Sequence, residues 1–79
     1  MPPIDVKIAR FCAEYALSPQ QTRIFEAIMH GTISNEALAR RLGMRQGTLC
    51  KHLERIAEKT MTVSRAELFY LFYQGRHGQ

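Results

Sequence analysis

Residues 34–60 decide the fold: Ser34-Asn35-Glu36-Ala37-Leu38-Ala39-Arg40-Arg41-Leu42-Gly43-Met44-Arg45, then Gln46-Gly47-Thr48-Leu49-Cys50-Lys51-His52-Leu53-Glu54-Arg55-Ile56-Ala57-Glu58-Lys59-Thr60. Ser34 is a helix N-cap residue, and Ala37, Leu38 and Leu42 follow it on one helical face. Gly43 takes the left-handed conformation that stops a helix. A turn at Gly43-Met44-Arg45 then leads into a longer helix running to about Lys59. Its apolar stripe is Leu49, Leu53 and Ile56, which leaves Gln46, Gly47, Cys50, Lys51, Glu54 and Glu58 outward. A short helix, a tight turn and a longer helix are the outcome.

Outward from this core the chain continues to read as helices. Asp5 is placed to cap a first helix with Ile8, Phe11, Cys12 and Tyr15 at helical spacing. Ser18-Pro19-Gln20-Gln21 restarts the chain as a capping box, with Pro19 at the first helical position. Ile24, Phe25, Ile28 and Met29 form that second helix's buried stripe, and Gly31 ends it. A last helix begins near Ser64 and carries Leu68, Phe69, Tyr70, Leu71, Phe72 and Tyr73. No stretch alternates with period two over strand length. The expectation is all-α: a compact four- to five-helix bundle containing a helix-turn-helix. Residues 1–16 form an amphipathic helix packed on the domain at 17–74, and 75–79 are a frayed tail.

Size and composition bound the function. Seventy-nine residues make one domain, with 46% apolar and 23% charged residues at the globular average. No apolar run approaches a membrane span, and Met1-Pro2-Pro3-Ile4-Asp5 has none of a signal peptide's regions. Two cysteines, Cys12 and Cys50, are too few for a disulfide framework. A cytoplasmic chain with free thiols is expected, with no membrane partner. Cys12, Cys50 and His52 do not have zinc-finger spacing, so no metal is expected. No Ser-His or Cys-His pair has a third orienting group, so neither an enzyme nor a cofactor is expected.

The net charge is +4 and the pI about 9.5. Arg40, Arg41, Arg45, Lys51, Arg55, Lys59 and Arg65 face only Glu36, Glu54 and Glu58 in the segment 34–65, which therefore holds the whole excess; the flanks balance. A local basic segment suits a polyanion, and it equally suits a solvated helical surface. The helix-turn-helix tips the balance. Its short turn sets the second helix to enter a DNA major groove while the first braces across the backbone.

Several motifs then resemble one family. Leu17-Ser18-Pro19-Gln20-Gln21 is similar to the L-T/S-P-R-E that opens LuxR-type (GerE-type) DNA-binding domains of bacterial transcription regulators. His30-Gly31-Thr32-Ile33-Ser34-Asn35-Glu36-Ala37-Leu38-Ala39 resembles their G-x-S-N-K-E-I-A, with one extra residue after Gly31. Leu42-Gly43-Met44 resembles L-G-I. Thr48-Leu49-Cys50-Lys51-His52, with Ile56 and Lys59, resembles T-V-K-x-H-x-x-x-I-x-x-K. Val63-Ser64-Arg65-Ala66-Glu67-Leu68 is similar to V-x-S-R-x-E-L. The match runs from about Leu17 to Leu71.

The resemblance implies a double-stranded DNA-binding transcription regulator that acts as a homodimer, with the helix at 46–59 in the major groove. Residues matching Thr48, Cys50, Lys51 and Glu54 face the DNA. Adding the neighbouring polar positions gives the expected interface: Asn35, Arg45, Gln46, Thr48, Cys50, Lys51, His52, Glu54, Arg55 and Lys59. His52 has a packing role as its first alternative, and Cys50 is a candidate redox-sensitive reader. The last helix, through Phe69, Tyr70, Phe72 and Tyr73, is the expected dimer or partner surface, unless Phe11 and Tyr15 cover those rings.

Departures from the pattern matter as well. Cys50 replaces a basic residue, Glu36 a common Lys, and Arg45 a Ser/Thr N-cap; Gly47 weakens the helix by about 1 kcal/mol relative to Ala. Glu54 and Glu58 bring negative charge to a face expected to meet phosphates. A second reading therefore stands beside the first, a protein-interaction module that binds a larger regulatory protein through its last helix. A third stems from Arg45-Gln46-Gly47-Thr48-Leu49, which resembles the S-x-G-T-V of region four of the major sigma factors.

Overall fold

Phenylalanine rings and aliphatic side chains from all five helices meet in a single core. The computed structural model describes residues 4–32 and 34–74. In chain order the helices are α1 (Ile4–Glu14), α2 (Pro19–Met29), α3 (Asn35–Leu42), α4 (Gln46–Thr60) and α5 (Arg65–Gln74). No strand occurs among the described residues, and the protein is an all-α helical bundle. The tail expected at 75–79 lies outside the described residues.

α1 is amphipathic, and it packs on the rest as its apolar spacing requires. Ile8, Phe11 and Cys12 are buried. Phe11 stacks on Phe25 of α2, with centroids 4.6 Å apart and planes 2° from parallel. Phe72 of α5 sets its edge against both rings at 5.6 Å. Such ring pairs add about 0.5–1.5 kcal/mol each beyond simple burial. Ile24 and Ile28 of α2, Leu38 of α3, and Leu49 and Ile56 of α4 complete the core. Asp5, however, does not cap α1. It lies inside the first turn, and its Oδ1 meets Nε2 of His30 at 2.8 Å, tying α1 to the end of α2.

The local signals at α2 and α3 act as read. Ser18 Oγ accepts from the Gln21 N–H at 3.2 Å, and Gln21 Oε1 accepts from the Ser18 N–H at 2.9 Å, closing the box. Ser34 Oγ accepts from the Ala37 N–H. α5 begins in a related way: Ser64 Oγ accepts from the Glu67 N–H, and Glu67 Oε1 from the Val63 N–H.

Helices α1 to α4 all end alike. In each, an N–H reaches back five residues to a helical carbonyl: Leu17 to Cys12, Thr32 to Ala27, Met44 to Ala39 and Thr62 to Ala57. This Schellman pattern needs a left-handed residue just before the donor. Gly31 and Gly43 supply it in two cases, but Ala16 (φ 56°) and Met61 (φ 58°) do so in the others.

Candidate nucleic-acid interface

The segment 34–60 folds as a helix-turn-helix. α3 is eight residues long and is anchored by Leu38 and Ala39, both buried. Gly43, at φ 67° and ψ 36°, lets the chain reverse, and Met44 packs on the core from within the turn. Arg45 precedes α4 in extended backbone at φ −75° and ψ 149°, with no side-chain cap bond. The first N–H groups of α4 are thus left without a side-chain partner, at the end of the helix where its dipole favours an anion.

α4 buries Leu49, Ile56 and Thr60. The Thr60 hydroxyl donates to the Ile56 carbonyl at 2.8 Å. Leu53 is half-buried. With that stripe inward, Arg45, Gln46, Gly47, Thr48, Cys50, Lys51, Glu54 and Arg55 are exposed and His52 is half-buried. At about 100° per residue the exposed positions fall on two flanks. Thr48, Lys51 and Arg55 share one flank. Glu54 lies toward α5, where it lines a groove of about 250 Å³ with Leu53, Ala57, Val63 and Arg65. Glu54 is therefore offset from the basic row, whereas Glu58, also exposed, falls within about 20° of Lys51 around the helix.

Lys59 requires a correction. Its Nζ donates to the Ala16 carbonyl at 2.8 Å and to Gln21 Oε1 at 2.9 Å. It braces the end of α4 against the α1–α2 turn, so two of its three N–H donors are used within the fold, although the residue is exposed. The spacing that matched it to the family pattern carried no information about this partner.

Asn35, the first residue of α3, is half-buried, and its Oδ1 accepts from Nη2 of Arg65 at 2.7 Å. In the sequence Arg65 stands out only for its charge and for its place in the Val63–Leu68 motif. Burial lowers its pKa from the ordinary arginine value, as desolvation of a cation should. On the outer side of α3, Arg40 lies 3.8 Å from Glu36, an exposed pair worth only a few tenths of a kcal/mol. Arg41 Nη1 donates to Thr32 Oγ1 at 2.9 Å.

The expected partner surface on α5 divides. Phe72 is only 2% exposed and belongs to the core, because α1 brings Phe11 against it; it is no part of a surface. Phe69 is half-buried and stacks near-parallel on Tyr73. Tyr70 and Tyr73 are 62% and 54% exposed. The Lys7 ammonium stands 5.2 Å from the Phe72 ring centre and 5.9 Å from that of Tyr73, so α1 partly screens one edge of this surface.

The thiols also differ. Cys12 is buried in the core, and burial pushes its pKa up; Cys50 is exposed on α4. Among the described residues no three His, Cys, Asp or Glu side chains are grouped to hold a metal ion. No helix among them is long and apolar enough to cross a membrane. Compared with protein families, with curated proteins and with solved structures, the chain has no significant match in any of the three.

Proposed function

We propose that this protein binds double-stranded DNA through its helix-turn-helix and acts as a sequence-specific transcription regulator of LuxR type, as a homodimer or with a larger regulatory protein. The observation that carries the reading is the makeup of α4. Its start is uncapped by any side chain, and Thr48, Lys51 and Arg55 stand exposed on one flank with Arg45 and Gln46 at the entry. Lys51 and Arg55 suit phosphate oxygens or the acceptor edge of guanine, and Gln46 suits adenine. Glu54, set to one side, suits the N4 amine of cytosine at the edge of the contact.

The reading is tested by backbone amide shifts of the ¹⁵N-labelled protein on adding a generic duplex. Shifts gathered at the start of α3 and the first three turns of α4 support it. Shifts confined to α5, or none, contradict it.

One observation favours a second reading. Tyr70 and Tyr73 give α5 an exposed aromatic surface, and aromatic side chains are the usual anchors of protein interfaces. A protein-interaction module would use that surface and leave α4 in solvent.

A further inference from the structure

Arg65 opens α5 and Asn35 opens α3, thirty residues apart in the chain, and their side chains meet at 2.7 Å. We infer that Arg65 is a positioning residue for the DNA interface: by holding Oδ1 of Asn35 it turns the Asn35 Nδ2 donors toward a backbone phosphate. The inference rests on the proposed DNA reading and names a contact within it.

The chemistry of the amide carries the argument. A carboxamide has an acceptor at one end and two donors at the other, whereas a guanidinium can only donate. Beside Arg65, only the Oδ1-inward orientation makes a bond; the flipped amide would set donor against donor. Asn35 is not needed as a helix cap, because Ser34 Oγ already accepts from the Ala37 N–H. No acceptor among the described residues meets Nδ2 of Asn35. The donors are thus fixed in direction and meet no acceptor among the described residues, at the start of the helix that a helix-turn-helix lays across the backbone. Donors of this kind contact phosphates and set register without reading sequence.

The test uses the full chain and a fluorescein-labelled duplex of arbitrary sequence, with anisotropy read at about 50 mM salt, where such contacts dominate. Asn35→Ala and Arg65→Ala should each weaken binding roughly fivefold to tenfold, the net weight of one ordinary hydrogen bond. The double variant should be no weaker than either alone. Asn35→Asp keeps the bond to Arg65, so it should melt no lower than the unmodified chain, yet bind at least about tenfold more weakly because anionic oxygen would face phosphate. Arg65→Gln, which retains a donor toward Oδ1, should recover most of the affinity and keeps the test open should Arg65→Ala fail to fold.

Other outcomes overturn the inference. If Arg65→Ala weakens binding further in the Asn35→Ala background and lowers the salt dependence, Arg65 touches phosphate itself. If it lowers the melting temperature but leaves affinity unchanged, the bond is a brace only. If the unmodified chain fails to bind the duplex at all, the DNA reading falls and this inference with it.

Discussion

Lys59, in the last turn of α4, donates from Nζ to Oε1 of Gln21, 38 residues earlier in α2, at 2.9 Å. That oxygen also accepts from the Ser18 N–H, and the ammonium also reaches the Ala16 carbonyl. A neutral amide therefore sits where a cation and a backbone donor converge. Gln21→Glu should put a carboxylate there and raise stability by roughly 1 kcal/mol at neutral pH, read by urea unfolding. Pairing lowers the folded-state pKa of such a carboxylate. The gain should therefore be complete above about pH 5 and be lost as pH falls through about 4. Lys59→Met should cost about 1–2 kcal/mol, with little change in DNA affinity while the protein is folded.

α5 offers a sharp contrast within one helix. Phe72→Ala removes a ring set edge-on against the stacked Phe11 and Phe25 and should cost about 3–5 kcal/mol, most of the stability of a domain this small. Tyr70→Ala should leave the melting temperature nearly unchanged, since Tyr70 is mostly in solvent. Equal losses for the two would mean that Tyr70 is covered in solution.

Met61 and Ala16 hold left-handed backbone that glycine adopts without steric cost. Met61→Gly should stabilise the protein by about 0.5–1 kcal/mol despite the greater freedom it gives the unfolded chain, because the Met61 side chain is 88% exposed and gives up almost no packing. Thermal melts of Met61→Gly and Ala16→Gly measure this directly. A drop for Met61→Gly would show that its side chain does more than the fold displays.

The two thiols should separate by rate. Cys50 should react with a colourless disulfide reagent within the mixing time or shortly after, and Cys12 only as fast as the protein opens. Cys12 also links stability to pH. Burial raises its pKa above the ordinary 9.0, so the neutral thiol is favoured in the fold. Its contribution is complete below about pH 9 and is lost as pH rises toward the folded-state value. Cys12→Ala should flatten the alkaline side of the stability profile, beside its cost in packing.

Local signals are legible in the sequence, and remote ones are not. The Ser18–Gln21 box, the Ser34 cap and the Gly43 stop each lie within a few residues, and each forms as its residues dictate. Ala16 and Met61 stop their helices with no sign in their residue types, since neither side chain favours the left-handed backbone that both adopt. The bridges Asp5–His30, Lys59–Gln21 and Arg65–Asn35 span 25, 38 and 30 residues, so no spacing rule reaches them. Phe72 reads as a surface residue because residues 68–73 are apolar or aromatic without a break, and periodicity then cannot say which ring faces in. On α4 the apolar stripe does name the exposed residues, but it does not separate Glu54 from the Lys51–Arg55 row. That division depends on where α5 lies.

The basic row of α4 is proposed to meet the phosphates of a duplex, and everything said of function depends on that contact. The most direct test is fluorescence anisotropy of a labelled duplex titrated with the unmodified chain and with Lys51→Glu, at several salt concentrations. Binding of the unmodified chain should weaken steeply and linearly in log–log form, with a slope that counts the phosphates engaged. Lys51→Glu should keep its helicity by circular dichroism and lose that binding. A folded protein that shows no binding at about 50 mM salt, or a Lys51→Glu variant that binds with undiminished affinity and slope, would contradict the account.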